Sequence, residues 1–181
     1  MFRIFFSSIF VLAVFCASLV HADEIFRLSQ TAQCCADDDT PNELVRFLLN
    51  TEDVENFRGT YRITASGTFH VSTNYTACVN FQMGSATLAS FISSVSGDSI
   101  PWSMTINAEI RPLMGLHPEL YVTGIIRVNN EESIYIYPLE VLSYSKYESG
   151  QFPVVLQGQI TGGIPSSSNY IQVDNFLVTL D

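Results

Sequence analysis

Residues 61–83 read YRITASGTFHVSTNYTACVNFQM, and their alternation decides the fold class. From Tyr61 to Val71 the odd positions carry Tyr, Ile, Ala, Gly, Phe and Val, and the even positions carry Arg, Thr, Ser, Thr and His. Successive side chains of a strand point to opposite faces, so this period of two predicts a half-buried strand, long or bent at Gly67. After Ser72, Thr73 and Asn74 the parity resumes, with Tyr75, Ala77, Val79, Phe81 and Met83 on one face. Thr76, Cys78, Asn80 and Gln82 take the other, and two strands of one hairpin are expected.

The same alternation recurs toward the C-terminus. Trp102, Met104, Ile106, Ala108 and Ile110 define a strand ended by Arg111 and Pro112. Leu120, Val122, Ile126 and Val128 face one side of the next, with Tyr121, Thr123 and Arg127 opposite. The polar tetrad Asn129–Glu132 turns the chain into Ile134–Tyr137, the clearest hairpin in the sequence. Further strands are expected over Leu139–Tyr144, Val154–Ile160 and Tyr170–Leu180, the last switching parity between Val173 and Phe176 as a bulge would cause. The fold class is therefore mainly β, a single antiparallel β-sandwich or barrel of about eight to nine strands.

Two segments break the alternation. Thr40, Pro41 and Glu43 form a helix-start pattern ahead of Leu44, Val45, Phe47 and Leu48, which predicts a short helix over about 41–50. Leu88, Phe91, Ile92 and Val95 recur at helical spacing between Ser85 and Gly97, which predicts a second over 85–97.

The first 22 residues, MFRIFFSSIFVLAVFCASLVHA, read as a signal peptide, with Arg3 ahead of an uncharged run and cleavage expected after Ala22. The uncharged run Ile4–Val20 falls short of a spanning helix, and no later stretch comes closer, so no transmembrane segment is expected once the leader is gone. A secreted or periplasmic protein follows. Residues 23–57 form an acidic N-terminal arm bearing the first short helix, and 58–181 form the β-domain. Of the chain's net −10, residues 23–55 contribute nine acids against Arg27 and Arg46, a net of −7. Such a surface repels phosphate backbones and excludes nucleic acid as a partner.

Once Cys16 leaves with the leader, Cys34, Cys35 and Cys78 remain, an odd number. The expected pairing joins Cys78 to Cys34 or Cys35; adjacent Cys34 and Cys35 would need a strained ring. The unpaired cysteine also allows a disulfide-linked dimer. Neither His70 nor His117 completes a metal site with these thiols, and no metal or cofactor is expected.

No nucleophile elbow, HExxH, P-loop or dinucleotide-binding pattern occurs, so no catalytic residues are assigned. Asn74–Tyr75–Thr76 is an acceptor triplet for N-glycosylation at the bend between two strands. Tyr121, Tyr135, Tyr137, Tyr144 and Tyr147 are interface candidates, because tyrosine presents a rigid apolar ring with a polar tip. Phe57–Arg58–Gly59–Thr60–Tyr61–Arg62–Ile63 resembles the Phe-x-Gly-x-Trp-x-Ile opening of lipocalins, with Tyr61 where that family has tryptophan. The resemblance implies an eight-stranded barrel carrying a small apolar ligand, with Tyr61, Ile63, Phe69, Val71, Val79, Phe81 and Met83 lining its cavity. The strand content, the missing catalytic motifs and the interface tyrosines point to an exported, non-catalytic β-domain that binds a protein or glycan, or joins an envelope or extracellular assembly. A secreted hydrolase is the remaining alternative and requires acids or histidines converging in a cleft.

Overall fold

The computed structural model describes residues 23–28, 30–36, 40–50, 60–84, 86–111, 119–141, 151–162 and 166–180. These contain eleven strands and no helix: β1 (Asp23–Arg27), β2 (Ala32–Ala36), β3 (Asn42–Asn50), β4 (Thr60–Val71), β5 (Thr76–Met83), β6 (Ala86–Ser93), β7 (Gly97–Arg111), β8 (Glu119–Val128), β9 (Glu131–Val141), β10 (Gln151–Thr161) and β11 (Ser166–Leu180). All pairings are antiparallel. One sheet runs β1-β11-β4-β7-β8-β9, with β2 also on β11; the other runs β3-β10-β5-β6. The chain is mainly β in two sheets that do not close into a barrel. No helix among the described residues is long and apolar enough to cross a membrane. The proposed leader lies outside the described residues.

The alternation of residues 61–83 is realised in full. Tyr61, Ile63, Ala65, Phe69 and Val71 are buried, as are Ala77, Val79, Phe81 and Met83. They do not line a lipocalin cavity but belong to one core cluster between the sheets, with Phe176, Trp102, Met104 and Leu156. The expected hairpin is not formed, because β4 pairs with β11 and β7 while β5 pairs with β10 and β6. Period two states which side of a strand is buried, not which strand lies beside it. Residues 72–75 carry the chain from one sheet to the other. Tyr75 N donates to Ser72 O at 3.1 Å, and Asn74 takes the left-handed φ of 74° that Asn tolerates at a turn. Asn169, fully buried, ties the end of this arch to β11: its Oδ1 accepts from Ser72 N at 2.8 Å and from Ser72 Oγ at 3.0 Å.

Neither expected helix exists. Residues 42–50 are β3 and residues 86–93 are β6, the two outer strands of the four-stranded sheet. Each carries one extra residue relative to its neighbour. Leu156 pairs with Val45 and Gln157 with Glu43, so Leu44 is extra; Phe81 pairs with Ala89 and Gln82 with Thr87, so Leu88 is extra. Such a bulge lets two consecutive side chains turn inward, and Leu44 with Val45, and Leu88 with Ala89, are buried. The acidic N-terminal region is part of the body: Val45, Phe47 and Leu49 lie in the core, and β1 and β2 extend the larger sheet.

The C-terminal bulge is where the parity switch puts it. Val173 pairs with Gly67 and Asn175 with Ser66, leaving Asp174 extra, so Ile171 and Val173 before it and Phe176 and Val178 after it all face inward. The strands meet closely here: a Cβ on Gly67 would lie 1.9 Å from Gln172 O. The β8–β9 turn is Asn129–Asn130, with φ of 48° and 68°, the two-residue left-handed loop that suits the twist of a hairpin.

Candidate functional site

Along the seam between the sheets, β6 faces the hairpin β8–β9, and a groove of about 260 Å³ lies between them. One wall is Ser90, Phe91, Ile92, Ser93 and Val95; the other is Ile126, Val128, Asn129, Glu131 and Ser133. The chain leaves β6 through a local bond in which Val95 N donates to Ser93 Oγ at 3.3 Å, turning Val95 outward. Ile92 and Val95 are 74% and 41% exposed, two of the four large apolar side chains so exposed among the described residues. Behind the groove, the Phe91 and Trp102 rings meet at 5.7 Å, and Trp102 pairs across the ladder with Val128. The buried Trp102 indole N–H has no acceptor among the described residues.

Charge enters this groove from one side only. Glu131 is exposed on the hairpin wall. Its neighbour Glu132 is engaged by Arg127, whose Nη2 lies 2.7 Å and Nε 2.9 Å from Glu132 Oε2. The carboxylate pair Glu131/Glu132 therefore opens a strand and serves two different surfaces.

A second constellation lies where β7 carries an extra residue against β4 and Ser99 takes a φ of 55°. His70 Nδ1 is 2.7 Å from Asp98 Oδ1, the imidazole lies near-parallel to the Tyr170 ring at 5.9 Å, and Ser99 Oγ is 3.4 Å from Tyr170 Oη. The residue types match those of a Ser–His–Asp triad, but the linkage does not. The serine hydroxyl contacts tyrosine instead of the imidazole, and the Asp98 side chain is 94% exposed, where water screens its hold on the histidine. His117 lies outside the described residues. Among the described residues no group of three or more His, Cys, Asp or Glu gathers to hold a metal ion.

A third feature is an open polar depression of about 510 Å³ on the outer face of the larger sheet, lined by Thr60, Arg62, Asn107, Glu109, Tyr121 and Thr123. Tyr121 is half-buried there. Tyr135 and Tyr137 lie in β9, their backbones paired with Gly124 and Val122, and Tyr144 and Tyr147 lie outside the described residues.

Cys78 is a free thiol, so the expected bridge to Cys34 or Cys35 is not formed. It sits on the outward side of β5, between Gln159 and Ile92, with its thiol donating to Asn80 Oδ1 at 3.5 Å. Cys34 and Cys35 lie on β2, whose ladder partners are Ile171 and Tyr170 in the other sheet. Burial pushes the Cys78 thiol above its ordinary range, the Asn80 bond opposing this. Asn74 is exposed at the turn between the sheets.

Of the residues singled out from sequence, Tyr121 lines the polar depression and His70 falls in the second constellation; the groove was hidden because its β6 wall read as helix. The signal available was compositional: Ser85–Ser96 is free of charge and proline yet holds Ile92 and Val95. Fold and groove together define a two-sheet antiparallel β-domain with a solvent-facing groove of mixed apolar and polar lining at its seam. No known protein family, curated protein or solved structure matches the chain.

Proposed function

We propose that this chain is an exported, non-catalytic β-sandwich that binds a partner protein at the seam between β6 and the β8–β9 hairpin. The observation that carries the reading is the groove itself, an apolar wall of Phe91, Ile92 and Val95 facing Ile126 and Val128. Ile92 and Val95 are exposed beside the buried Phe91 and Ile126, and an exposed apolar pair at the mouth of a groove suits a place that a partner covers. The leader-like first 22 residues support export, and Asn74, exposed on a turn, is positioned to carry a glycan in a eukaryotic secretory route.

A glycan-binding reading draws on a separate observation, the polar depression in which Tyr121 accompanies Arg62, Asn107 and Glu109. The two are separated by amide NMR titration of the isotope-labelled protein with extended peptides and with a panel of oligosaccharides. Peptide-induced shifts gathered on Phe91, Ile92, Val95, Ile126 and Val128 are expected. Sugar-induced shifts at Arg62, Asn107 and Tyr121, with none at the groove, would replace the first reading by the second. Turnover of ester, amide or glycoside substrates that is lost in His70→Gln would defeat both.

A further inference from the structure

We infer that β6 accepts one extended segment of another protein as an added antiparallel strand, the segment being apolar at alternate positions and flanked by lysine or arginine. The inference rests on the protein-binding reading above and specifies the partner's conformation and charge.

The first support is the state of the strand edge. Among the described residues β6 pairs with β5 alone. Alternate residues of an antiparallel edge strand direct their N–H and C=O away from the neighbour they already have. Five strands stand at sheet edges, since β2 too pairs with β11 alone among the described residues, and three of the five carry devices that discourage a newcomer. β1 reads DEIFR, β3 reads NELVRFLLN, and β9 reads EESIYIYPLEV, all with charges and the last with proline. β2 reads AQCCA and β6 reads ATLASFIS, each with neither, and of these two the one that lines the groove is β6. Its one guard is the bulge at Leu88, which confines the regular ladder to Ala89–Ser93, the half that borders the groove.

The second support is charge. Glu131 stands exposed on the opposite wall with no cationic partner among the described residues, while Arg127 is committed to Glu132. The whole chain carries a net −10. A second copy would bring a like charge to this groove, whereas a basic flank on an incoming strand meets Glu131 and is steered by the field of the whole protein. Complementarity therefore selects a cationic segment of a different protein over self-association.

The test uses the intact secreted protein and a labelled probe peptide, acetyl-Lys-Val-Thr-Val-Thr-Val-Lys-amide, followed by fluorescence anisotropy. Saturable binding is expected. N-methylation of alternate residues along one edge of the peptide weakens it by about tenfold or more, because it removes the ladder bonds, while methylation along the other edge does not. Glu131→Lys, a change at an exposed site, weakens the lysine-flanked peptide by about tenfold and favours a glutamate-flanked analogue. Ile92→Lys, which adds an edge charge, removes binding, with circular dichroism confirming retained strand content. Absence of binding, or binding indifferent to N-methylation and to Glu131→Lys, overturns the inference. Concentration-dependent dimers that vanish in Ile92→Lys would also overturn it by making a second copy the occupant. Peptide shifts on groove residues with no N-methylation effect would leave the protein-binding reading standing while this inference fails.

Discussion

Phe26 on β1 and Phe47 on β3 stack with ring centroids 4.9 Å apart and planes 13° from parallel, which joins the first strand of one sheet to an outer strand of the other. Both rings also approach Phe176, at 6.0 and 6.3 Å, and Phe176 in turn lies 6.4 Å from Phe81 on β5. The N-terminal strands are thus anchored in the same aromatic cluster as the centre of the molecule. Phe176, fully buried, and Phe47 are each expected to cost about 3–5 kcal/mol on truncation to Ala in urea unfolding. Phe26→Ala costs less, since Phe26 is only partly buried. A double-mutant cycle of Phe26 and Phe47 should give a coupling of about 0.5–1.5 kcal/mol. Strictly additive losses would show that the stack contributes nothing beyond burial.

Gly67 tests the packing of β4 against the β11 bulge. A methyl group there meets the backbone oxygen of Gln172, which has no flexible end to move aside. Gly67→Ala should therefore destabilise by about 3 kcal/mol or more, although alanine suits a strand better than glycine does. A thermal midpoint within two degrees or so of wild type would mean that the strands do not approach this closely.

The inward faces of β4, β5, β7, β8 and β11 were legible in the sequence because their apolar residues alternate over an unbroken run, and the β11 bulge left a visible parity switch. The two strands that read as helices share one cause, a bulge near the start of an outer strand. In β3, Leu44 and Phe47 are spaced by three and both buried because Leu44 is the extra residue; Leu88 and Phe91 in β6 repeat this. The same device brings Glu43 and Arg46 together at 2.7 Å, an i,i+3 ion pair that in an unbulged strand would be split between opposite faces. Bulged strands thus imitate helical spacing in both core and charge. Partner choice was hidden for a different reason, since pairing depends on residues a hundred positions away, as with His70 and Tyr170.

Glu24 and Arg27 straddle a third such bulge, at Ile25, and carry a pH signature. Arg27 Nε lies 3.2 and 3.1 Å from the two carboxylate oxygens and Nη2 lies 2.8 Å from Oε2. These bonds hold the Glu24 carboxyl below the usual carboxylate range. A carboxyl depressed in the folded state adds stability above its unfolded pKa, and that contribution is lost as pH falls through the folded value. Both groups are exposed, so the effect on unfolding is slight. The carboxyl titration followed by NMR should nevertheless have a midpoint below that of an unpaired glutamate and return to it in Arg27→Gln. A midpoint unmoved by that change would exclude the pair, and with it the bulge that aligns the two side chains.

Cys78 supplies a chemical readout of the same sheet. Its thiol is raised by burial on the outward side of β5, so at neutral pH it is protonated and a poor nucleophile. Alkylation by iodoacetamide in native buffer is expected to be slow against the urea-unfolded chain and to accelerate only as pH passes the ordinary thiol range. For an acid whose folded pKa is raised, the stabilising contribution is complete below the unfolded pKa and is lost as pH rises through the folded one. Stability should thus decline on the alkaline side in wild type and decline less in Cys78→Ala. Peptide mass mapping under non-reducing conditions checks the premise. Cys78 recovered as a carbamidomethyl peptide supports the free thiol, and Cys78 linked to a peptide bearing Cys34 or Cys35 would require β2 to leave its place on β11.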